Sequence, residues 1–256
     1  MSPTARSRSA HAAVAVAWAL FLAPAPSALA APSAAAGPCP DVEVVFARGT
    51  GEPPGAGGIG DAFIDSVHSK VGQKSFGVYA VDYPATTDFP TAMEGIQDAS
   101  QHIEQMAANC PSTKMVLGGF SQGAAVMGLT TSATVPDGAP ADAPQPMAPA
   151  IADHVAAVAL FGMPSNQFMT SIGSPPIVIG PLYIPKTTEL CAPGDPVCSY
   201  GGNWAAHNSY VDDGMVDQAA NFAVNQLAAP PPPPGQPGSD PASPPWREAP
   251  GAPASR

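Results

Sequence analysis

Residues Gly119-Phe120-Ser121-Gln122-Gly123 stand between an apolar run, Lys114-Met115-Val116-Leu117-Gly118, and a small-residue run, Ala124-Ala125-Val126-Met127. A Gly-x-Ser-x-Gly pentapeptide held between a strand and a helix is a nucleophile elbow, and it forces the chain around it into an α/β architecture. The turn is so tight that its serine is driven into an unfavourable backbone region. Any Cβ on the flanking glycines would collide with the strand or the helix. A plain Gly-rich turn needs no such framing, so Ser121 reads as presented rather than packed.

A serine hydroxyl is a poor nucleophile near neutral pH, so the elbow requires a base to take its proton and an acid to orient that base. In this architecture the chain order is serine, then Asp or Glu, then His. Downstream lie Cys191-Ala192-Pro193-Gly194-Asp195-Pro196-Val197-Cys198 and Trp204-Ala205-Ala206-His207-Asn208-Ser209-Tyr210. Asp195 and His207 are the candidates. His68 and His102 lie in amphipathic helical stretches before the elbow, and His154 precedes an apolar strand, so these three read as solvated or structural. A Gly-Asp-Pro aspartate is also common in turns; two close cysteines around Asp195 point instead to a loop that holds a carboxylate still.

Four separated blocks occur in order: residues 39–52 (Cys-Pro-Asp-Val-Glu-Val-Val-Phe-Ala-Arg-Gly-Thr-Gly-Glu), 118–123, 191–198 and Ala206-His207. They resemble the signature blocks of the cutinase family, in particular the cutinase-like serine esterases of mycobacteria and related actinobacteria, over about residues 39 to 228. The resemblance implies Ser121 as nucleophile, His207 as general base and acid, and Asp195 as orienting carboxylate. It also implies an oxyanion hole from the Gln122 main-chain N–H and from Thr50. The family pattern often carries serine at the latter position, so a hydroxyl is kept on a stiffer side chain. The residues support this independently, since acyl transfer needs donors aimed at the developing alkoxide and Arg48-Gly49-Thr50-Gly51 is a Gly-rich loop at the end of the first strand. A phosphate-cradling role for that loop is weaker: no P-loop lysine follows, and no GxGxxG spacing appears.

The chain begins with Arg6 and Arg8, continues with an apolar run over 12–23 and reaches Ala28-Leu29-Ala30. This reads as a secretory signal peptide over residues 1–30 with a small-residue cleavage site, and Pro24 and Pro26 argue against a helical anchor. The expected product is exported, extracellular or cell-wall associated, with no transmembrane segment. Export makes Cys39, Cys110, Cys191 and Cys198 legible as two disulfides, for which three pairings exist. Cys191 and Cys198 bracket a Pro/Gly turn and can close locally, which leaves Cys39 for Cys110; the family resemblance implies the same pairing. A metal site is the rival reading, but there is no CxxC and no histidine close in sequence to a cysteine pair. No metal or cofactor is expected.

The formal net charge is −11, and loss of Arg6 and Arg8 with the leader makes it two units more negative. Such a balance speaks against nucleic acid and anionic surfaces as partners. Apolar runs at 42–47, 78–83, 115–118, 155–161 and 182–190 alternate with helical stretches at 59–70, 90–109, 122–131 and 213–227. That alternation is the signature of a mostly parallel sheet covered on both faces. The expected fold is a three-layer α/β-hydrolase-like, cutinase-type domain over 31–229, with a central five-stranded sheet. Segment 132–149, rich in Pro, Ala and Asp, reads as a surface excursion. Residues 230–256 cannot bury apolar area and read as a disordered or polyproline II tail, a solvated spacer with cell-envelope contact as the rarer role.

The expected activity is hydrolysis of an ester with an acyl chain, of the neutral lipid or polyester type, through an acyl-enzyme on a monomer. Apolar residues flank the expected rim at Tyr83-Pro84, Phe89-Pro90, Phe168-Met169, 175–179 and Trp204, as an acyl-chain hydrolase requires. No long amphipathic segment reads as a lid. Two alternatives use the same sequence: an acetylxylan-type carbohydrate deacetylase on a similar fold, and a catalytically vestigial surface-binding protein. The filled catalytic positions argue against the second.

Overall fold

The structure is a computed structural model that describes residues 38–229; the expected leader (1–30) and tail (230–256) lie outside them. Strands β1 (Val42–Ala47), β2 (Phe76–Ala80), β3 (Lys114–Phe120), β4 (Val155–Phe161) and β5 (Thr187–Leu190) form one sheet in the order β2-β1-β3-β4-β5. Every pairing is parallel, so the sheet is parallel throughout rather than mostly so. Parallel neighbours need crossovers, and these carry α1 (Gly57–Lys70), α2 (Ala92–Asn109), α3 (Gln122–Thr130) and the short α4 (Asn166–Ser171), with α5 (Met215–Ala228) closing the chain.

The period-two alternation of the strands divides the core into two layers. Val44 and Phe46 of β1 join Val116, Ala159 and Phe161 beneath Phe63 and Val67 of α1 and Ala219 and Ala223 of α5. On the opposite face Val45, Leu117, Val158 and Leu160 pack under Ala99 and Ile103 of α2 and Ala124 and Met127 of α3. Central strands are apolar on both faces because both are covered, which explains their near-continuous hydrophobic runs.

Element bounds differ from the sequence reading where side chains outside the sheet claim the backbone. The second strand starts two residues earlier and ends at Ala80. Beyond it, the carbonyls of Val81 and Tyr83 turn to the buried Arg48 guanidinium. The fifth is confined to Thr187–Leu190, since residues before it form a 3₁₀ turn, Ile184–Lys186, around Pro185. Helix α4 is too short to show a periodicity; its start is capped by Ser165 Oγ, which accepts from Phe168 N–H at 3.2 Å. Disulfides join Cys39 to Cys110 and Cys191 to Cys198, as expected.

Candidate active site

Strand β3 ends at Phe120 and α3 begins at Gln122, so Ser121 alone makes the turn, with φ 54° and ψ −115°. A side-chain-bearing residue at such a positive φ stores strain, on the order of 1–3 kcal/mol, and persists only where its surroundings over-determine it. Here they do. Ser121 N–H donates to Phe161 O at 2.9 Å, and Ser121 O accepts from Ala125 N–H at 3.1 Å. A Cβ on Gly119 would overlap the Gly123 backbone, and one on Gly123 would overlap the Ala47 carbonyl. Both glycines are therefore required by close approach of strand and helix.

The hydroxyl of Ser121 lies 2.9 Å from His207 Nε2, and His207 Nδ1 lies 2.8 Å from Asp195 Oδ2. A carboxylate only accepts, so Nδ1 carries the proton and Nε2 is left free to accept from Ser121. Asp195 is fully buried on the loop after β5, where an unpaired charge would be costly. Three donors satisfy it: His207, Val197 N–H on Oδ1 at 2.8 Å, and the Tyr210 hydroxyl on Oδ2 at 2.6 Å. His207 stands on a 3₁₀ turn, Ala206–Asn208, between the Phe120 ring and the edge of Trp204.

Tyr210 was not singled out by sequence reasoning, although it lies three residues beyond His207 in the same block. It is wholly buried. Burial first, and the hydrogen bond to Asp195 second, push its phenol above the ordinary range, which keeps it a proton donor to the carboxylate. Its oxygen also accepts from Ala192 N–H at 3.4 Å, so one side chain ties together the loop that Cys191–Cys198 closes.

Thr50 and Gln122 line the same cavity as Ser121. Gln122 opens α3, where main-chain N–H groups have no partner within the helix. Its side chain is turned away to donate to Thr86 O at 3.0 Å. Loop 48–52, which carries Thr50, is held by two residues that sequence reasoning passed over. The buried Arg48 guanidinium donates to the carbonyls of Glu52 (3.0 Å), Val81 (3.3 Å) and Tyr83. The Glu52 carboxylate accepts from the N–H groups of Gly49 (2.6 Å) and Gly58 (2.8 Å), and the Tyr83 hydroxyl returns a bond to Arg48 O. The Glu52 bonds stay within the β1–α1 crossover, whereas the Val81 and Tyr83 partners of Arg48 lie on the next one, where no local motif announces them.

Ser121 and His207 open into a cavity of about 680 Å³. Of the apolar residues expected at the rim, Phe89, Pro90, Phe168, Met169, Pro175 and Trp204 line it. Tyr83 instead sits buried on Arg48, and Ile177 packs behind Ala125 and Met169. Segment 132–149 is more than a surface excursion, because residues 134–146 supply one wall of the cavity. The remaining histidines are elsewhere: His68 stacks on Phe76, and His102 stacks on Tyr79 with Nε2 2.9 Å from Glu43 Oε2. His154 lies on the 3₁₀ turn before β4.

A strained serine between strand and helix, at the carboxyl edge of a parallel five-stranded sheet with helices on both faces, is the arrangement of an α/β-hydrolase-like protein. The sequence model of the Cutinase family matches residues 38–227, and the chain belongs to that family. It is thereby a carboxylic ester hydrolase. "Probable carboxylesterase Culp5" of Mycobacterium tuberculosis is 74% identical over 165 residues, covering 64% of this chain and 95% of that protein. "Phospholipase Culp4" of the same organism is 50% identical over 197 residues, covering 77% and 83%. Among solved structures, Trichoderma reesei cutinase in complex with a C11Y4 phosphonate inhibitor is similar at a TM-score of 0.57 and 31% identity, covering 75% of this chain and 78% of that one. An acetyl xylan esterase shares the fold at a TM-score of 0.62 and 23% identity, covering 74% and 100%.

Proposed function

We propose that the protein is a serine esterase that works through an acyl-enzyme on neutral esters with an apolar acyl chain. The observation that carries this is the Ser121–His207–Asp195 chain of contacts, 2.9 and 2.8 Å, at the mouth of an apolar cavity. Ser121 Oγ attacks the ester carbonyl carbon while His207 Nε2 takes its proton. Asp195 stabilises the resulting imidazolium, and the N–H of Gln122 with Thr50 stabilises the oxyanion. The C–O bond to the alcohol then breaks, and the leaving oxygen receives the proton from His207. Water, deprotonated by His207, attacks the acyl-enzyme; the acid departs and Ser121 recovers its proton.

A neutral substrate is favoured by what lines the cavity. Among the described residues, Glu52 is the only Asp, Glu, Lys or Arg there, and its carboxylate is already engaged by Gly49 and Gly58. A phosphate-bearing substrate would find no cation. The long apolar walls likewise suit an acyl chain better than the acetyl group of a xylan. Residues 1–30 are proposed as an export signal and 31–229 as the catalytic domain, with 230–256 a spacer. Two disulfides fit an oxidising compartment, and no described helix is long and apolar enough to cross a membrane. The test is hydrolysis of p-nitrophenyl esters together with phosphonate labelling. One phosphonate should add, at Ser121, and abolish turnover; full activity in Ser121→Ala overturns the reading.

A further inference from the structure

Helices α2 and α3 both run from the carboxyl edge of the sheet toward its amino edge, because each connects the end of one parallel strand to the start of the next. They lie side by side, and the cavity that begins at Ser121 continues along the groove between them. From α2 it is lined by Ala92, Met93, Ile96 and Ser100, and from α3 by Gln122, Ala125, Leu129 and Thr130. Spacings of four (Ala92, Ile96, Ser100) on one helix and of three and four (Gln122, Ala125, Leu129) on the other run along one helical face, with Met93 and Thr130 beside them. The groove is roofed by residues 134–146, among them the half-buried Val135, Pro136 and Pro144.

We propose that this roofed groove between α2 and α3 is the acyl-chain channel, and that its far end at Ser100 and Thr130 sets the longest chain accepted. The assignment rests on Ser121 as the acylated residue. The eight helical steps from Ala92 to Ser100, or from Gln122 to Thr130, span about 12 Å. A C–C bond of about 1.5 Å in zigzag advances about 1.25 Å per carbon, so the channel takes a straight acyl chain of about ten carbons. The side chains of the two helices along it are apolar, apart from hydroxyl groups at the far end and the Gln122 amide at the elbow, which matches a hydrocarbon chain whose carbonyl is anchored at Ser121. Phe168, Met169 and Ile172, of α4 and the turn after it, line the cavity outside the groove and are left for the alcohol moiety.

The experiment is kcat/KM for p-nitrophenyl esters from acetate to palmitate on the full chain. In the wild type each added methylene should raise kcat/KM about fourfold, from its burial of roughly 0.8 kcal/mol, until the curve breaks near ten carbons. Ser100→Trp should lower the decanoate-to-butyrate ratio at least tenfold, and Val135→Trp, on the roof, should move the break to shorter chains. If Ser100→Trp does not fold, the roof variant decides. A wild-type curve flat beyond butyrate, or a ratio untouched by these variants and lowered instead by Ile172→Trp, overturns the channel while leaving the esterase reading intact. Activity that survives Ser121→Ala strikes the esterase reading itself.

Discussion

The two edges of the sheet are held by the same kinds of bond and put them to different ends. At the amino edge, Cys39–Cys110 ties the chain before β1 to the end of α2, Asp41 takes bonds from Ser75 ahead of β2, and the Thr113 hydroxyl caps Pro40 O. At the carboxyl edge, Cys191–Cys198 closes the loop after β5, and the buried polar groups include Arg48, Asp195 and His207, where the amino edge has Glu43 and Thr113. Only the second edge carries a strained serine. Backbone strain and buried charge both cost stability, and their coincidence there marks the edge where geometry is maintained for chemistry. Substitutions at the carboxyl edge should cost rate; those at the amino edge should cost stability alone.

The largest effect tests that claim at its centre. Asp195→Asn keeps shape but removes the acceptor that holds Nδ1–H, and kcat should fall roughly 10⁴-fold. His102→Ala, which breaks a contact of similar length with Glu43, should leave kcat within a few-fold. A comparable loss from both would erase the distinction. Next is the loop that carries Thr50: Arg48→Met strips three carbonyls of their donor, and kcat should fall about 10²–10³-fold, as when an oxyanion donor is lost. Unchanged kcat with a lowered Tm would make Arg48 a stabilising residue only.

The two disulfides give the cleanest contrast. Cys39–Cys110 spans 71 residues and Cys191–Cys198 spans 7, so loop-closure entropy assigns them about 4 and about 2 kcal/mol. Cys39→Ser/Cys110→Ser should lower Tm by on the order of 10 °C with kcat preserved. Cys191→Ser/Cys198→Ser should lower Tm less but turnover more, up to about a hundredfold if the Asp195 carboxylate moves by about 1 Å. Tyr210→Phe refines this, since the hydroxyl is a second restraint on that carboxylate: kcat should drop about tenfold, the loss of a hydrogen bond to a charged group, with KM little changed. If Tyr210→Phe is silent while the cysteine pair is not, the covalent bridge alone holds the loop.

Most of the fold was legible because each central strand is an apolar run and each crossover except the one holding the six-residue α4 is a helical one. The Ser121 elbow, Asp195 and His207 were legible because their types and order are dictated by acyl-transfer chemistry. What escaped depends on contacts distant in sequence. Arg48 donates to Val81 and Tyr83, some thirty-five residues away, so the sequence marks its loop for the oxyanion without showing what holds the loop in place. Tyr210 is one aromatic among several until the fold brings it to Asp195. Segment 132–149 has no periodicity to read, because its Pro-rich chain acts as a wall only when α2 and α3 lie beneath it.

The smallest expected effect is at the amino edge and depends on pH. Asp41 accepts from the Ser75 hydroxyl and N–H, both at 2.7 Å, and these bonds, the side-chain one first, hold its carboxyl below the ordinary carboxylate range. A depressed folded value means that folding favours the ionised form. The stabilisation is therefore complete above the unfolded value, about 3.9, and is lost as pH falls through the folded one. Asp41 is exposed to solvent, so the gain is modest. Asp41→Asn should lower Tm slightly at pH 7 and leave the ester hydrolysis rate there unchanged. The Tm gap between the two proteins should close as pH falls below about 4. Thermal melts from pH 3 to 7 with kcat at pH 7 check this. A gap that persists at acid pH would mean that packing of the asparagine, not charge, is at issue, and a fall in kcat would show that the amino edge reaches the site after all.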